Sequence, residues 1–444
     1  MSRFMTAATV SVALLLTQPA AFAQGAGEHW VGTWATAVVG RAVRPPAGRG
    51  GGQGPQGQAP QAAAPAAQAP APQAPPPPPI NFNNQTLREI VHASIGGDRV
   101  RVVLSNEFGD APLMIGGAHV GLRGAATAIV PGSDRAITFA GRPGTSIPAG
   151  AVIFSDPVAL TVPALADLAI SIYLPGDTAA GTSPLTMHGG ANQTNYVSEA
   201  GDHTADADLQ MATVVPSWYF LSRVEVVAPQ QVTAIVALGD SITDGARSTS
   251  DTNSRWPDVL ARRLSQAGMK VGVLNVGIAG NRILQDGAGV SALARFDRDV
   301  ASQTAATYLI VLEGINDIRN NLPLTTDDLI AAHRQIIDRA HARGLKVIGA
   351  TLTPFEGSAP VAAYTPETEG KRQALNTWIR TSKAYDAVVD FDAAARDPNH
   401  PTQLIEQFQS GDHLHPNDGG YQLMGNAISL DLFKPAARTT TSSR

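Results

Sequence analysis

From Gln230 onward the chain alternates short apolar runs with longer amphipathic stretches. The first run, Val232 to Leu238, has the length and β-branched content of a strand buried on both faces. Runs at Val271 to Val276, Tyr308 to Leu312, Lys346 to Leu352 and Ala387 to Phe391 predict four more strands. Helical patterns lie between them. One opens at Trp256-Pro257, carries Val259, Leu260 and Leu264, and ends at Gly268. The next is capped by Thr325, presents Leu329, Ile330, Ile336, Ile337 and Ala340, and ends at Gly344. Two more are predicted from about Glu367 to Ser382 and from about Gly420 to Leu432. Strands alternating with helices predict an α/β domain with a parallel sheet covered on both faces.

The chain before this point has a different texture. Arg99 to Leu104 partly alternates polar with apolar, and Asp167 to Leu174 does so clearly before stopping at Pro175-Gly176. Short runs punctuated by Gly and Pro predict an antiparallel, sandwich-like domain, with a boundary at Ala228-Pro229. His29 to Val39 also reads as strand. Arg44 to Pro79 is Gly, Pro, Ala and Gln, a composition that builds no core. We read it as a long loop inside the first domain, because the strand before it would otherwise be orphaned. The expected organisation is a β-rich domain over 24–228, an α/β domain over 230–435 and a polar tail over 436–444.

Composition narrows the picture. The chain has 444 residues, a formal net charge of -5 and a hydrophobic fraction of 43%, enough for an ordinary core. Mild acidity argues against nucleic acid or an anionic membrane as partner. Arg3, the apolar stretch Phe4 to Leu16 and the small-residue site Ala21-Phe22-Ala23 predict an export signal over 1–23. That stretch falls short of the ~20 residues that span a bilayer, so no stable anchor is expected. The chain has no cysteine, which excludes a thiolate nucleophile and thiolate metal sites.

Candidate chemistry collects at the predicted strand ends, where open α/β sheets bind ligands. Gly239-Asp240-Ser241 follows the first strand, Gly277 to Arg282 the second, and Gly314-Ile315-Asn316-Asp317 the third. Asp412-His413-Leu414-His415-Pro416 precedes the last helix. Acyl transfer needs a hydroxyl, a base, a group that orients the base, and donors for an oxyanion. Ser241 supplies the hydroxyl and His415 can be the base. Asp412, three residues before it, can share its face and accept the Nδ1 proton. Gly280 lets its amide approach a substrate because no Cβ intervenes, and Asn316 offers a donor that does not titrate. His413 is the rival base, and Asp390 and Asp392 are rival carboxylates. Asp317 and Asp240 read as structural groups of their turns. Arg282 either binds substrate or is salt-bridged. His400, His413 and His415 with Asp412 match no strong zinc spacing, so neither metal nor cofactor is expected. The polar, Gly-rich His188-Gly189-Gly190-Ala191-Asn192-Gln193 reads as a plain loop, with overhang of the cleft as the alternative.

These four blocks, in this order, resemble the SGNH hydrolase superfamily of GDSL-type esterases and lipases. The resemblance covers about Val232 to Phe433. It implies a flavodoxin-like sheet and a metal-independent Ser-His-Asp esterase mechanism. It further implies an oxyanion hole built from the Ser241 amide, the Gly280 amide and the Asn316 side chain. Ile242 departs from the leucine of the motif name. His413 stands where a small residue is frequent, which puts it, with Arg282, among the candidate substrate contacts. Trp30-Val31-Gly32-Thr33-Trp34 and Gln85-Thr86-Leu87-Arg88 are similar to secreted two-domain members near xylan-associated acetylesterases and arylesterases. The expected activity is hydrolysis of short acyl esters, acetyl foremost, on a small molecule or an oligosaccharide. The alternatives are a carbohydrate-binding surface protein on a hydrolase scaffold and an acyltransferase using the same acyl-enzyme.

Overall fold

A computed structural model describes residues 27–41, 80–210, 213–320 and 322–434. The proposed export signal, the Pro/Ala/Gln/Gly-rich stretch and the tail lie outside these residues.

The second half forms a five-stranded parallel sheet in the order Val271–Gly277, Thr233–Gly239, Ala306–Leu312, Lys346–Ala350, Ala387–Val389. In chain order this is 2-1-3-4-5, the flavodoxin-like arrangement. Ala234 to Leu238 in the first strand are fully buried, as the continuous apolar run requires. Gly239 is level with Gly277 on one side and Leu312 on the other. Three successive strands therefore end at one height, and the polar segments after them emerge side by side.

Among the described residues, seven α-helices accompany the sheet: α1 (Ser241–Asp244), α2 (Trp256–Gln266), α3 (Ile315–Arg319), α4 (Thr326–Ala342), α5 (Pro366–Thr381), α6 (Phe391–Ala395) and α7 (Asp418–Ala427). Thr325 and Asp328 form a reciprocal capping box on α4, whose buried stripe is Leu329, Ala332, Ile336, Ile337 and Ala340. Three expected boundaries are corrected. The fourth strand stops at Ala350 rather than Leu352. The fifth stops at Val389, because the Asp390 side chain accepts the Ala393 N–H at 3.1 Å and starts α6. The last helix is α7, capped by the Asn417 side chain on Gly420 N–H at 3.1 Å. It breaks at extended Ile428, and Leu430–Phe433 is a separate 3₁₀ turn capped by Ser429.

The first half is antiparallel. A five-stranded sheet contains Trp30–Ala35, Leu221–Val227, Gly97–Ser105, Val158–Val162 and Val152–Phe154. A six-stranded sheet is centred on Asn83–His92 and Asp167–Asp177, and a three-stranded sheet joins Val39–Arg41, Leu185–Gly189 and Ser217–Tyr219. Trp30–Ala35 is not orphaned: it pairs with Leu221–Val227.

The two halves share one apolar core, which runs from Val31, Leu87 and Val224 to Val236, Leu274 and Leu309. The contact is close enough to need glycine on both sides. A Cβ on Gly32 would fall 2.8 Å from Leu274 Cδ1, and one on Gly272 would fall 2.3 Å from the Gly32 carbonyl oxygen. Ser94 Oγ accepts the Val273 N–H at 2.9 Å, and the Gly32 N–H reaches the Thr304 carbonyl at 3.2 Å. The antiparallel half is thus packed directly on the strand beside the candidate nucleophile strand.

Candidate active site

Ser241 is the first residue of α1. Asp240 caps that helix, accepting the Ile242 N–H at 2.9 Å, and Gly245 closes it with φ of +94°. As first residue, Ser241 has no intrahelical carbonyl for its own N–H, which is free to serve a ligand. Its Oγ lies 2.8 Å from His415 Nε2, and His415 Nδ1 lies 2.8 Å from Asp412 Oδ2. Asp412 Oδ1 accepts two further N–H groups, of Leu414 at 3.1 Å and His415 at 2.9 Å. These partners assign the tautomer: Nδ1–H donates to the carboxylate, and Nε2 accepts the serine proton. Burial works to raise the Asp412 carboxyl, but the bonds from the His415 amide and imidazole outweigh it and hold the group well below the usual carboxylate range.

Gly280 stands at φ of +77° in a tight turn, closed by the Asn281 N–H on the Ile278 carbonyl at 3.0 Å. Glycine suits the third position of such a turn, and its N–H takes no part in the closing bond. Asn316, on α3 and 4% exposed, donates one Nδ2 hydrogen to the Asn281 carbonyl at 2.9 Å. That bond ties the third strand end to the second and leaves the other Nδ2 hydrogen for a ligand. Ser241, Gly280 and Asn316 therefore stand just past adjoining strand ends, and the loop before α7 brings His415, with Asp412 behind it, to Ser241.

The rivals are placed elsewhere. Asp390 and Asp392 are engaged by Arg380, and Asp392 also by Arg372 and Arg396. His413 sits at φ of +57°, and its ring packs where a Cβ on Gly357 would be 3.1 Å from Cγ. Asp317 accepts the Ile283 and Leu284 N–H groups at 2.9 and 3.4 Å, which makes it a brace for the second strand-end loop. Arg282 lies near enough to Asp317 to favour its charge, and packs against Gly287.

Sequence reasoning missed the support beneath the nucleophile. Arg295, 1% exposed, donates to the carbonyls of Val276 at 2.6 Å and Gly239 at 3.1 Å, to Asn281 Oδ1 at 3.0 Å and Asp299 Oδ2 at 3.1 Å. It also reaches Glu313 Oε1 at 3.4 Å, so one guanidinium ties the ends of three strands together. Burial raises the Asp240 carboxyl to about 7, with Asp317 and Asp244 adding to the rise, and raises that of Glu313 well above its ordinary value, with Asp240 and Asp317 adding to it. Glu313 stands directly before Gly314 in sequence, but nothing in local spacing marks Arg295 as its partner.

A strand-end serine, a histidine–carboxylate pair from the final loop and two amide-bearing turns, on a 2-1-3-4-5 sheet, form an arrangement similar to that of SGNH-type carboxylic ester hydrolases. Residues 237–423 match the GDSL-like lipase/acylhydrolase family. A curated relative is esterase TesA of Pseudomonas aeruginosa, 29% identical over 144 residues. The match covers 32% of this chain and 66% of that protein, just under two thirds of the relative's length. Among solved structures, a GDSL-like lipase of Bacteroides thetaiotaomicron is 22% identical, over 44% of this chain and 85% of that one, with a TM-score of 0.35. A carbohydrate acetylesterase family member of Sinorhizobium meliloti is 16% identical, over 44% and 94%, with a TM-score of 0.36. The aryl esterase of M. smegmatis is 16% identical, over 45% and 98%, with a TM-score of 0.37.

Proposed function

We propose that the protein is an exported serine esterase that removes short acyl groups, acetyl foremost, from small or carbohydrate alcohols. The observation that carries this reading is the unbroken chain Ser241–His415–Asp412, with two contacts of 2.8 Å. The export part rests on the N-terminal sequence pattern. The exposed Arg247 guanidinium, 3.3 Å from Asp412 Oδ2, sets a charge beside the triad, which suits a small polar ester better than a long acyl chain.

In the proposed mechanism Ser241 Oγ attacks the ester carbonyl carbon while its proton passes to His415 Nε2. Asp412 stabilises the imidazolium that forms and does not itself take the proton. The carbonyl oxygen becomes an oxyanion held by the Ser241 and Gly280 amides and the Asn316 Nδ2–H. Collapse breaks the ester C–O bond, and the alcohol leaves with the proton from His415. Water then repeats the sequence on the acyl-enzyme and frees the acid and the serine. A sugar hydroxyl in place of water would make the same acyl-enzyme a transferase.

The test is hydrolysis of p-nitrophenyl acetate by wild type and Ser241→Ala, with labelling by a serine-directed fluorophosphonate and a panel of acetylated xylo-oligosaccharides. The reading expects loss of turnover and labelling together in the variant. Equal rates for the two proteins would overturn it. Glycan capture without labelling of the wild type would favour a binding protein on this scaffold.

A further inference from the structure

We infer that His188, contributed by the antiparallel half, is a positioning residue for the oxyanion turn: an imidazolium that clamps Asp244, which in turn holds the Ala279–Gly280 backbone. The inference rests on the esterase reading above for its kinetic consequence, but not for the charge state it assigns.

His188 lies in the strand Leu185–Gly189 and is 3% exposed. Both ring nitrogens face acceptors. Nδ1 lies 2.7 Å from the Ala37 carbonyl oxygen, and Nε2 lies 3.0 Å from Asp244 Oδ1. A neutral imidazole has one N–H, so it could satisfy only one of them and would aim a lone pair at the other. The cation satisfies both. Asp244 is the last residue of α1, three after Ser241, and its second oxygen accepts the Ala279 N–H at 3.0 Å. One carboxylate therefore joins the nucleophile helix, the turn that presents the Gly280 amide, and a side chain from the other half of the protein.

The surroundings oppose and support the charge in known directions. The Arg255 guanidinium stands over Trp218, whose ring packs 5.6 Å from that of His188, and it disfavours a second cation. Asp240 and Tyr421 face Asp244 from its own half. Burial alone would neutralise His188, but the Asp244 charge and the two hydrogen bonds outweigh burial and Arg255, and the imidazole sits above its ordinary value. A histidine raised in this way contributes fully below its unfolded value of about 6.5, and the contribution is lost as pH rises through the folded value. The polar loop that follows reinforces the same grip. Asn192 Nδ2 donates to the Gly245 carbonyl at 2.9 Å, and its own carbonyl accepts the Asp251 N–H at 3.0 Å. The segment His188 to Gln193 is thus a clasp on the nucleophile loop rather than an idle connection.

Oxyanion donors act on the transition state more than on the bound substrate, so loosening their turn lowers kcat and spares KM. The experiment uses the full chain with p-nitrophenyl acetate across the neutral and alkaline range, with thermal melts alongside. Three variants are compared. His188→Ala removes the clamp. His188→Gln keeps a donor for Asp244 without a titrating group. Asp244→Asn keeps an acceptor for Ala279 and supplies an N–H to a neutral imidazole. The inference expects His188→Ala to lower kcat roughly tenfold to a hundredfold with KM within about twofold. It expects an alkaline fall in wild-type kcat that is absent from His188→Gln and Asp244→Asn, and partial recovery of neutral-pH kcat in His188→Gln relative to His188→Ala. Nitrogen-15 spectra of histidine-labelled protein, with the signal assigned by its loss in His188→Gln, give a readout independent of turnover. A doubly protonated His188 at neutral pH supports the clamp even if no ester is hydrolysed. A neutral His188 overturns the inference, as does a His188→Ala enzyme with unchanged kcat and an unchanged alkaline limb.

Discussion

Replacing Asp412 with asparagine tests the orientation of the base with almost no change in shape. Asp412 Oδ1 accepts two backbone N–H groups, from Leu414 and His415, and Oδ2 takes the imidazole at 2.8 Å. An asparagine must keep its carbonyl oxygen toward the two backbone donors, because its NH₂ cannot accept them. The NH₂ then faces His415 Nδ1 and donates to it. The imidazole is driven into the other tautomer, with Nε2–H pointing at Ser241 Oγ, where a lone pair is required. The serine loses its base while the loop keeps its hydrogen bonds. An Asp→Asn change at this position of a Ser-His-Asp triad costs about 10⁴ in kcat, or roughly 5.5 kcal/mol of transition-state stabilisation at ~1.4 kcal/mol per tenfold. Arg247, which touches the same oxygen at 3.3 Å, is largely exposed and can swing away from the new NH₂. The assay is kcat for p-nitrophenyl acetate at neutral pH, with melting temperature as the control for folding. A folded Asp412→Asn enzyme within tenfold of wild type would refute the tautomer argument and the role assigned to Asp412.

Asn316→Ala removes the proposed oxyanion donor and should lower kcat by about 10²–10³, near 3 kcal/mol. A change confined to KM would show that Asn316 binds substrate rather than the transition state. Asp240→Asn keeps the cap on Ile242 and removes a buried charge. Because the Asp240 carboxyl is raised, its contribution to stability is present below the unfolded value of about 4 and is lost as pH rises towards neutrality. The variant should therefore melt progressively higher relative to wild type between about pH 4 and pH 7 and level off above that, and a melting difference independent of pH would contradict the assignment.

The legible parts of this protein are those encoded by neighbours in sequence. The buried strand before Ser241 follows from an unbroken apolar run, and α4 follows from its Thr325 cap and apolar stripe. The Asp412–His415 pair is separated by three residues, so the loop had only to turn for both to meet one hydroxyl. What sequence could not supply are pairings across long separations. Arg295 meets the Gly239 carbonyl and Glu313 by tertiary packing alone, and its surroundings in the chain carry no periodic signal. His188 is separated by 56 positions from Asp244, and its Gly-rich neighbours looked like any surface connection. The expected strands run past Ala350 and Val389 because Leu352 and Phe391 prolong the alternation; caps and turns decide where the ladder stops.

The backbone contact between Gly32 and Gly272 bears on how the enzyme can be re-engineered. A truncation that begins at Gln230 would strip a whole wall of apolar side chains from the strand Val271–Gly277 and leave Leu274, fully buried in the intact protein, facing water. Such a fragment should aggregate rather than yield a smaller catalyst. Grafting the N-terminal half onto an unrelated hydrolase would fail for the converse reason, since a side chain larger than hydrogen in place of Gly272 meets the Gly32 carbonyl oxygen and pushes the two backbones apart. Improved variants are better sought by altering the rim of the crevice than by exchanging modules.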